Sequence, residues 1–178
     1  MCALDVRPAV ATERLLLRGP VAADVAPITE LANDLGVAGM TATMPYPYRQ
    51  ADAEAFVGSV ARMNPRTDAV FAVEHREFGF IGMLGIHETE AGRRELGYWF
   101  GRPFWGRGYA TEAVAGALRW VKSDWRKNVV WAGHFADNRA SGQVLCKAGF
   151  LYTGDVEPRP SAGRGGAPVP TRMMVWLA

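Results

Sequence analysis

Cysteine is scarce in this chain of 178 residues, which contains only Cys2 and Cys146. Neither thiol belongs to a Cys-x-x-Cys pair, and two cysteines cannot form the disulfide framework of a small secreted protein. This scarcity is typical of a reducing compartment, and we expect a cytoplasmic location. Cys146 falls late in a predicted helix beside Leu145, so we expect a packed structural thiol rather than a nucleophile.

Long apolar runs and a strong charge excess are also missing. No run approaches the roughly 18 residues that span a bilayer, and the first dozen residues lack the basic and apolar regions of a signal peptide. The formal net charge is +2 and the basic residues are dispersed, which disfavours nucleic acid as a partner. His75, His87 and His134 are scattered and no His-Glu-x-x-His motif occurs, so we expect no metal site.

The hydrophobic periodicity predicts one α+β domain over residues 1–178, with a structured core from about residue 12. Strands are predicted at 13–19, 69–74, 80–87, 94–100, 128–135, 150–156 and 171–177, and helices at 24–35, 52–63, 111–125 and 138–148. Short connections between the central strands favour antiparallel pairing. We therefore expect a mixed, mostly antiparallel sheet of roughly six to seven strands, flanked by about four helices.

Two segments rich in proline are predicted to be loops. Residues 44–50 contain two prolines, which are not compatible with a central strand. Residues 157–170 contain four prolines and three glycines, a composition typical of an irregular loop. Neither segment is therefore expected to contribute to the sheet.

The stretch WGRGYATEA (105–113) places two glycines at the start of a predicted helix. A P-loop would end in Gly-Lys-Ser/Thr, and a Rossmann loop would have a third glycine where Thr111 stands, so neither nucleotide loop fits. A glycine turn at a helix start exposes backbone N–H groups to an anion, and Arg102 or Arg107 could add charge-assisted contacts. The stretch predicts a diphosphate site, and the alternative is a turn that only begins the helix.

Residues 105–110 resemble the acetyl-CoA pyrophosphate loop of the GCN5-related N-acetyltransferases (GNAT). The likeness is greatest to the branch that acetylates the N-termini of ribosomal proteins. The stretches ERLLLR, ELGYWF (95–100) and DNRASGQVLCKAGF (137–150) also match, so the similarity runs from ERLLLR to the end of the chain. Pro103 departs from the pattern, since many members carry Gln or Arg there. The resemblance implies direct transfer of an acetyl group from acetyl-CoA to a primary amine, without an acyl-enzyme.

The resemblance also implies a set of site residues. The residues expected to contact acetyl-CoA are Trp99, Phe100, Trp105, Gly106, Arg107, Gly108, Tyr109, Ala110, Thr111, Asn138 and Ser141. Backbone N–H groups of a splayed strand around Trp99 and Phe100 would hold the thioester oxygen. Asn138 would bind the pantetheine arm, and Ser141 would lie near the sulfur.

Two residues are candidates for proton transfer. Glu95 is the best base by position, directly or through water, and Ser141 or a tyrosine could protonate the departing thiolate. Helical spacing places Ser141 on the face that packs on the sheet, together with Leu145. The alternatives are structural: Asn138 as a helix cap, Ser141 as a first-turn serine, and Glu95 as a surface glutamate facing solvent or paired with Arg93 or Arg94.

The acceptor amine is less well defined by the sequence. A protein N-terminal α-amine is the leading interpretation, and a small amine such as a polyamine or an antibiotic is the alternative. A non-catalytic acyl-CoA-binding module is the rival from another class, and it would need neither Glu95 nor Ser141. Tyr46, Tyr48 and His87 are candidates to line the acceptor side. Both a monomer and a homodimer are compatible with the sequence.

Overall fold

A single mixed sheet organises residues 8–178, the part of the chain that the computed structural model describes. Its eight strands are β1 (Val10–Ala11), β2 (Leu15–Arg18), β3 (Ala69–His75), β4 (Gly79–Glu88), β5 (Arg94–Phe100), β6 (Val129–Phe135), β7 (Leu151–Ser161) and β8 (Ala167–Leu177). Their order is β1-β2-β3-β4-β5-β6-β8-β7, and β5–β6 is the parallel pair. The α+β prediction is confirmed, with β1 as the strand beyond the predicted number. A strand of two residues leaves no periodic pattern to detect.

Five α-helices lie within residues 8–178, one more than predicted. They are α1 (Val25–Ala32), α2 (Leu35–Ala38), α3 (Gln50–Val60), α4 (Tyr109–Ser123) and α5 (Arg139–Lys147). The predicted helix at 24–35 is divided because Asp34 adopts an extended conformation, and its side chain accepts a hydrogen bond from the Gly36 N–H. The proline segment before α3 forms a loop, as the sequence predicted.

The helices cover the two faces of the sheet with separate hydrophobic clusters. One cluster joins α4 and α5 to the sheet and includes Val114, Leu118 and Leu145. The other joins α1 and α3 to β3 and β4, with Ile28 and Ala53 fully buried. The helix predicted at 111–125 is therefore confirmed as α4, and its apolar face packs on the sheet. The sheet lies between two helical layers.

The segment at 157–170 was predicted to be a loop, and this was wrong. It forms the end of a long β7–β8 hairpin, in which Pro158 lies opposite Pro170 and Pro160 opposite Pro168. Proline is tolerated there because β7 is an edge strand and β6 has already ended at Phe135. Composition alone could not reveal these strands, since each half of the segment is held in an extended conformation by pairing with the other half.

The tip of this hairpin is attached to the segment after α2. The Ser161 hydroxyl donates to the Thr41 carbonyl at 3.0 Å, and the Arg164 Nε donates to the Gly39 carbonyl at 2.6 Å. Arg164 also pairs with Asp137, which directly follows β6. The hairpin is thus held at its tip by contacts with residues distant in sequence.

Cys146 is exposed, which contradicts the predicted packed thiol. The reason is the orientation of α5, whose buried positions are Gly142 and Leu145. Cys146 follows Leu145 by one residue and is therefore rotated towards solvent. Cys2 lies outside the described residues.

A buried ion pair attaches the first strands to the turn before α1. Asp24 is only 3% exposed and binds the Arg18 guanidinium through two hydrogen bonds of 2.8 Å. It also accepts the Val21 N–H at 2.8 Å, and Arg18 pairs in turn with Glu74. Burial opposes ionisation of Asp24, but the bonds from Arg18 and Val21 outweigh it and lower the pKa of this carboxyl.

We expect Asp24→Asn to lower the free energy of unfolding by about 2 kcal/mol, because the Arg18 guanidinium loses a buried charged partner. The folded-state pKa of Asp24 lies below its unfolded value, so the contribution is complete above about pH 5 and disappears as the pH falls through the folded pKa. Urea denaturation at several pH values measures the difference, with exposed Asp155→Asn as control. A difference between variant and wild type that persists unchanged at acidic pH would refute the assignment.

Candidate active site

The first turn of α4 has the backbone geometry of an anion-binding turn. Gly106 and Gly108 have φ angles of +72° and +80°, a conformation that side chains other than glycine rarely adopt. Gly108 caps α4, and the Glu112 N–H donates to its carbonyl at 3.0 Å. The N–H groups of 109–111 precede this bond and have no partner within the helix. No atom lies within 4 Å of where a Cβ would stand at Gly106, so a ligand can approach the backbone.

An ion pair between Arg14 and Glu112 braces this turn, and the sequence did not indicate it. The Glu112 carboxylate accepts hydrogen bonds from Thr12 Oγ1 at 2.6 Å and from the Arg14 N–H and Nε at 2.7 Å each. The Arg14 guanidinium then donates to the Arg107 carbonyl at 3.1 Å and lies 4.6 Å from the Tyr109 ring centre. These contacts join residues 98 positions apart, so no local pattern could have indicated them.

The two arginines named from the sequence differ in their surroundings. Arg102 forms two hydrogen bonds with Asp34, at 2.6 and 2.7 Å, and lowers the pKa of that carboxyl to about 2. Its guanidinium is therefore already paired. The Arg107 guanidinium instead lies 6.0 Å from the Phe78 ring. Of the two, Arg107 remains the better candidate for an anion.

Aromatic residues fix the loop between β5 and α4. The Trp105 Nε1 donates to the Phe100 carbonyl at 2.7 Å, while almost half of the indole remains exposed. The Tyr109 ring is buried against His75, with the ring centres 5.0 Å apart. Trp105 thus joins the glycine turn to the end of β5, and Tyr109 presents only its backbone to a ligand.

The parallel strands β5 and β6 separate at the middle of the sheet. Their pairing is limited to Glu95 with Trp131 and Leu96 with Ala132, so among residues 8–178 no strand pairs with the rest of β5 on that side. The Gly101 N–H donates to β4, and N–H groups alternate in direction along a strand. The Tyr98 and Phe100 N–H groups therefore point into the gap, whereas that of Trp99 points to β4.

The start of α5 closes this gap, with Asn138 as its cap. The Asn138 side-chain Oδ1 accepts the Ser141 N–H at 3.1 Å. The Tyr98 phenol oxygen lies 2.8 Å from the Ser141 hydroxyl and 3.3 Å from the Ser141 carbonyl oxygen, and its one proton can serve either contact. The predicted inward orientation of Ser141 and the cap at Asn138 are thus present. The alternation of Leu96, Tyr98 and Phe100 could have indicated that Tyr98 faces the same helix.

Glu95 lies on the face of the sheet that is turned away from α4 and α5. We call this surface of β5, β6, β8 and β7 the Glu95 face. Both carboxylate oxygens of Glu95 bind the Arg159 guanidinium, one of them at 3.0 Å, and Arg159 also binds Glu157 at 3.1 Å. The alternative partners do not pair with it, since Arg93 stacks over Trp131 and Arg94 binds Glu88. Glu95 and Ser141 therefore belong to opposite faces and do not contact each other.

A family model for the acetyltransferase (GNAT) domain matches residues 14–151, more than three-quarters of the chain. The chain belongs to the GNAT acetyltransferase family. It is accordingly an acetyl-CoA-dependent N-acetyltransferase, and this membership argues against the non-catalytic module. No curated protein matches the sequence of this GNAT.

Solved structures share the fold at low sequence identity. The microcin C7 self-immunity acetyltransferase MccE, in complex with acetyl-CoA and AMP, is 14% identical with a TM-score of 0.81, covering 94% of each chain. A Vibrio cholerae protein provisionally assigned as a ribosomal-protein-serine acetyltransferase is 19% identical with a TM-score of 0.77, covering 96% of this chain and 98% of its own. Spermidine N-acetyltransferase from Vibrio cholerae, with CoA and spermine, is 19% identical with a TM-score of 0.76, covering 93% and 96%. At these identities the likeness shows the fold alone.

The remaining histidines and tyrosines named from the sequence differ in burial and in partners. His134 is buried and contacts the Tyr152 hydroxyl at 2.9 Å, beneath a groove of about 490 Å³ on the outer side of α5. His87 contacts Asp68 at 3.3 Å. Tyr46 is exposed and Tyr48 is buried. Residues 8–178 contain no group of three His, Cys, Asp or Glu side chains placed to hold a metal, and none of their helices could cross a bilayer.

Proposed function

We propose that this GNAT acetylates the N-terminal α-amine of a protein or peptide. The observation that supports this most is the charge balance of the Glu95 face. Glu95 and Glu157 share Arg159, and Asp137, two residues after the end of β6, binds Arg164. A polycationic acceptor would need carboxylates without such partners, because each of its ammonium groups must be matched by a negative charge. An acceptor with one amine, charged or neutral, does not need a carboxylate that is free of such partners.

The acid–base chemistry of the acceptor supports the same choice. Glu95 is the residue that we assign to receive the amine proton, yet both of its oxygens already accept hydrogen bonds from Arg159. At pH 7 about one α-amine in ten is neutral, against about one in 2,500 for a lysine-type amine. An α-amine therefore depends much less than a lysine-type amine on proton removal by Glu95, whether Glu95 acts directly or through water.

The residues around the gap fit acetyl-CoA as cosubstrate. The turn from Gly106 to Thr111, with Arg14 and Arg107, would hold its diphosphate, and Asn138 would contact the pantetheine arm. The bound cosubstrate supplies the acetyl group as a thioester. The Phe100 N–H points into the gap between β5 and β6 and would hold the carbonyl oxygen, while the Ser141 hydroxyl would lie at the sulfur.

A pair of matched peptides tests this proposal. Thiol release from acetyl-CoA should be rapid with a peptide whose N-terminus is free, and at background level with the same peptide blocked at its N-terminus. Both peptides should carry an internal lysine, so that any side-chain transfer appears in both. Spermidine serves as the second acceptor. Equal turnover of the free and blocked peptides, or turnover of spermidine alone, would overturn the α-amine assignment.

A further inference from the structure

Ser141 is fixed at three of its atoms in the first turn of α5. Its N–H donates to the Asn138 side-chain Oδ1, its hydroxyl lies 2.8 Å from the Tyr98 hydroxyl, and its carbonyl oxygen lies 3.3 Å from the same phenol oxygen. Tyr98 belongs to β5 and packs with its ring partly buried in the larger hydrophobic cluster. A hydroxyl held in this way has few orientations left to it.

The number of protons decides what Ser141 can do. Tyr98 and Ser141 each carry one hydroxyl proton, and only one of these can lie between the two oxygens. If serine donates to the phenol, the phenol proton goes to the Ser141 carbonyl at 3.3 Å, and the serine has no proton left for a ligand. If the phenol donates to the serine oxygen, it gives up the carbonyl, and the serine proton is free to point into the gap between β5 and β6. A phenol is a stronger acid than an aliphatic alcohol, and its contact with the carbonyl is the longer of the two, so the second arrangement is favoured.

We propose that Tyr98 is a positioning residue, whose phenol donates to the Ser141 oxygen and thereby directs the serine proton at the sulfur of bound CoA. This inference rests on the cosubstrate site of the proposed function, and it is independent of the identity of the acceptor. The chain of two hydrogen bonds strengthens the serine as a donor, because each bond polarises the next. Negative charge that develops on the sulfur would be stabilised where it forms.

The phenol keeps its own proton throughout. Burial raises the pKa of Tyr98 to about 12, against a smaller lowering by the bond to Ser141. A thiol has a pKa of about 8.5, so a thiolate cannot remove a proton from a group that is so much less acidic. Tyr98 therefore acts as a hydrogen-bond donor and not as the acid that protonates the leaving group.

Binding of CoA and of desulfo-CoA, measured by calorimetry at about pH 9, tests the inference without any acceptor. The ionised fraction of the CoA thiol is much larger there than at pH 7, so wild type should bind CoA about tenfold more tightly than desulfo-CoA, the effect of one hydrogen bond to a charged group. Ser141→Ala should abolish this preference and Tyr98→Phe should reduce it about threefold, as expected for a weakened donor. The double variant should match Ser141→Ala, because Tyr98 acts only through the serine.

Tyr152→Phe is the matched control, since it removes a phenol bonded to His134 on the outer side of α5. It should keep the wild-type preference for CoA. With any productive acceptor, Tyr98→Phe should lower kcat and leave the KM for acetyl-CoA unchanged. A Tyr98→Phe protein that keeps the full preference and kcat would overturn this inference alone. Failure of wild type to bind CoA would overturn the proposed cosubstrate site as well.

Discussion

Replacing Gly108 with valine should weaken acetyl-CoA binding about 100-fold, the equivalent of losing about two charge-assisted hydrogen bonds. Gly108 caps α4 with a φ of +80°, and a Cβ there would lie 3.5 Å from the Arg14 guanidinium. The added methyl groups would occupy the place where a diphosphate meets the first N–H groups of the helix. The strain of a left-handed valine should cost only about 1–2 kcal/mol of stability.

Gly92→Val separates the two effects. Gly92 lies in the turn between β4 and β5 with a φ of +72°, and nothing lies within 4 Å of its absent Cβ. It should suffer a similar loss of stability in thermal unfolding and keep its full affinity for acetyl-CoA in calorimetry. Unchanged affinity in Gly108→Val, or an equal loss in both variants, would mean that the glycines of 105–113 only turn the chain.

Glu95→Gln should lower kcat about 100-fold near pH 7, because an amide cannot take a proton from the acceptor amine. The deficit should shrink above about pH 8, since an α-amine is then mostly neutral without a base. Rates of thiol release across this pH range, with the peptide that has a free N-terminus, measure the effect. The pH dependence of the ratio between wild type and variant is the diagnostic quantity, and not the rate at one pH.

Glu157→Gln is the control for this variant, because Glu157 binds the same Arg159 guanidinium at 3.1 Å but is not assigned to proton transfer. Its kcat should fall by no more than about threefold, the effect of one exposed ion pair. An equal or larger loss in Glu157→Gln would transfer the role of base to that residue. A Glu95→Gln deficit that stays constant with pH would assign Glu95 a purely structural role.

Local features of the sequence were sufficient for the parts of the fold that are determined locally. The helix α4, the cap at Asn138 and the strands from 69 to 100 follow from periodicity, turn residues and side-chain chemistry within one segment. The continuation of β7 and β8 through residues 157–170 was missed because its prolines are acceptable only at an edge, and edge positions are defined by the whole sheet.

The contacts that complete the site could not be predicted for the same reason. Arg159 meets Glu95 across 64 positions, and Tyr98 meets Ser141 across 43. Each pair joins elements that become neighbours only when the sheet has its final strand order. The sequence could therefore indicate which side chains are chemically suited to a role, but not which partner each one has.

Backbone amide chemical shifts, recorded while CoA is added to isotopically labelled protein, locate the cosubstrate on the chain. We expect the largest changes at Gly106, Gly108 and the first turn of α4, with further changes at Phe100 and Ser141. Changes concentrated instead around Cys146 and Arg172, in the groove on the outer side of α5, would contradict the proposed cosubstrate site.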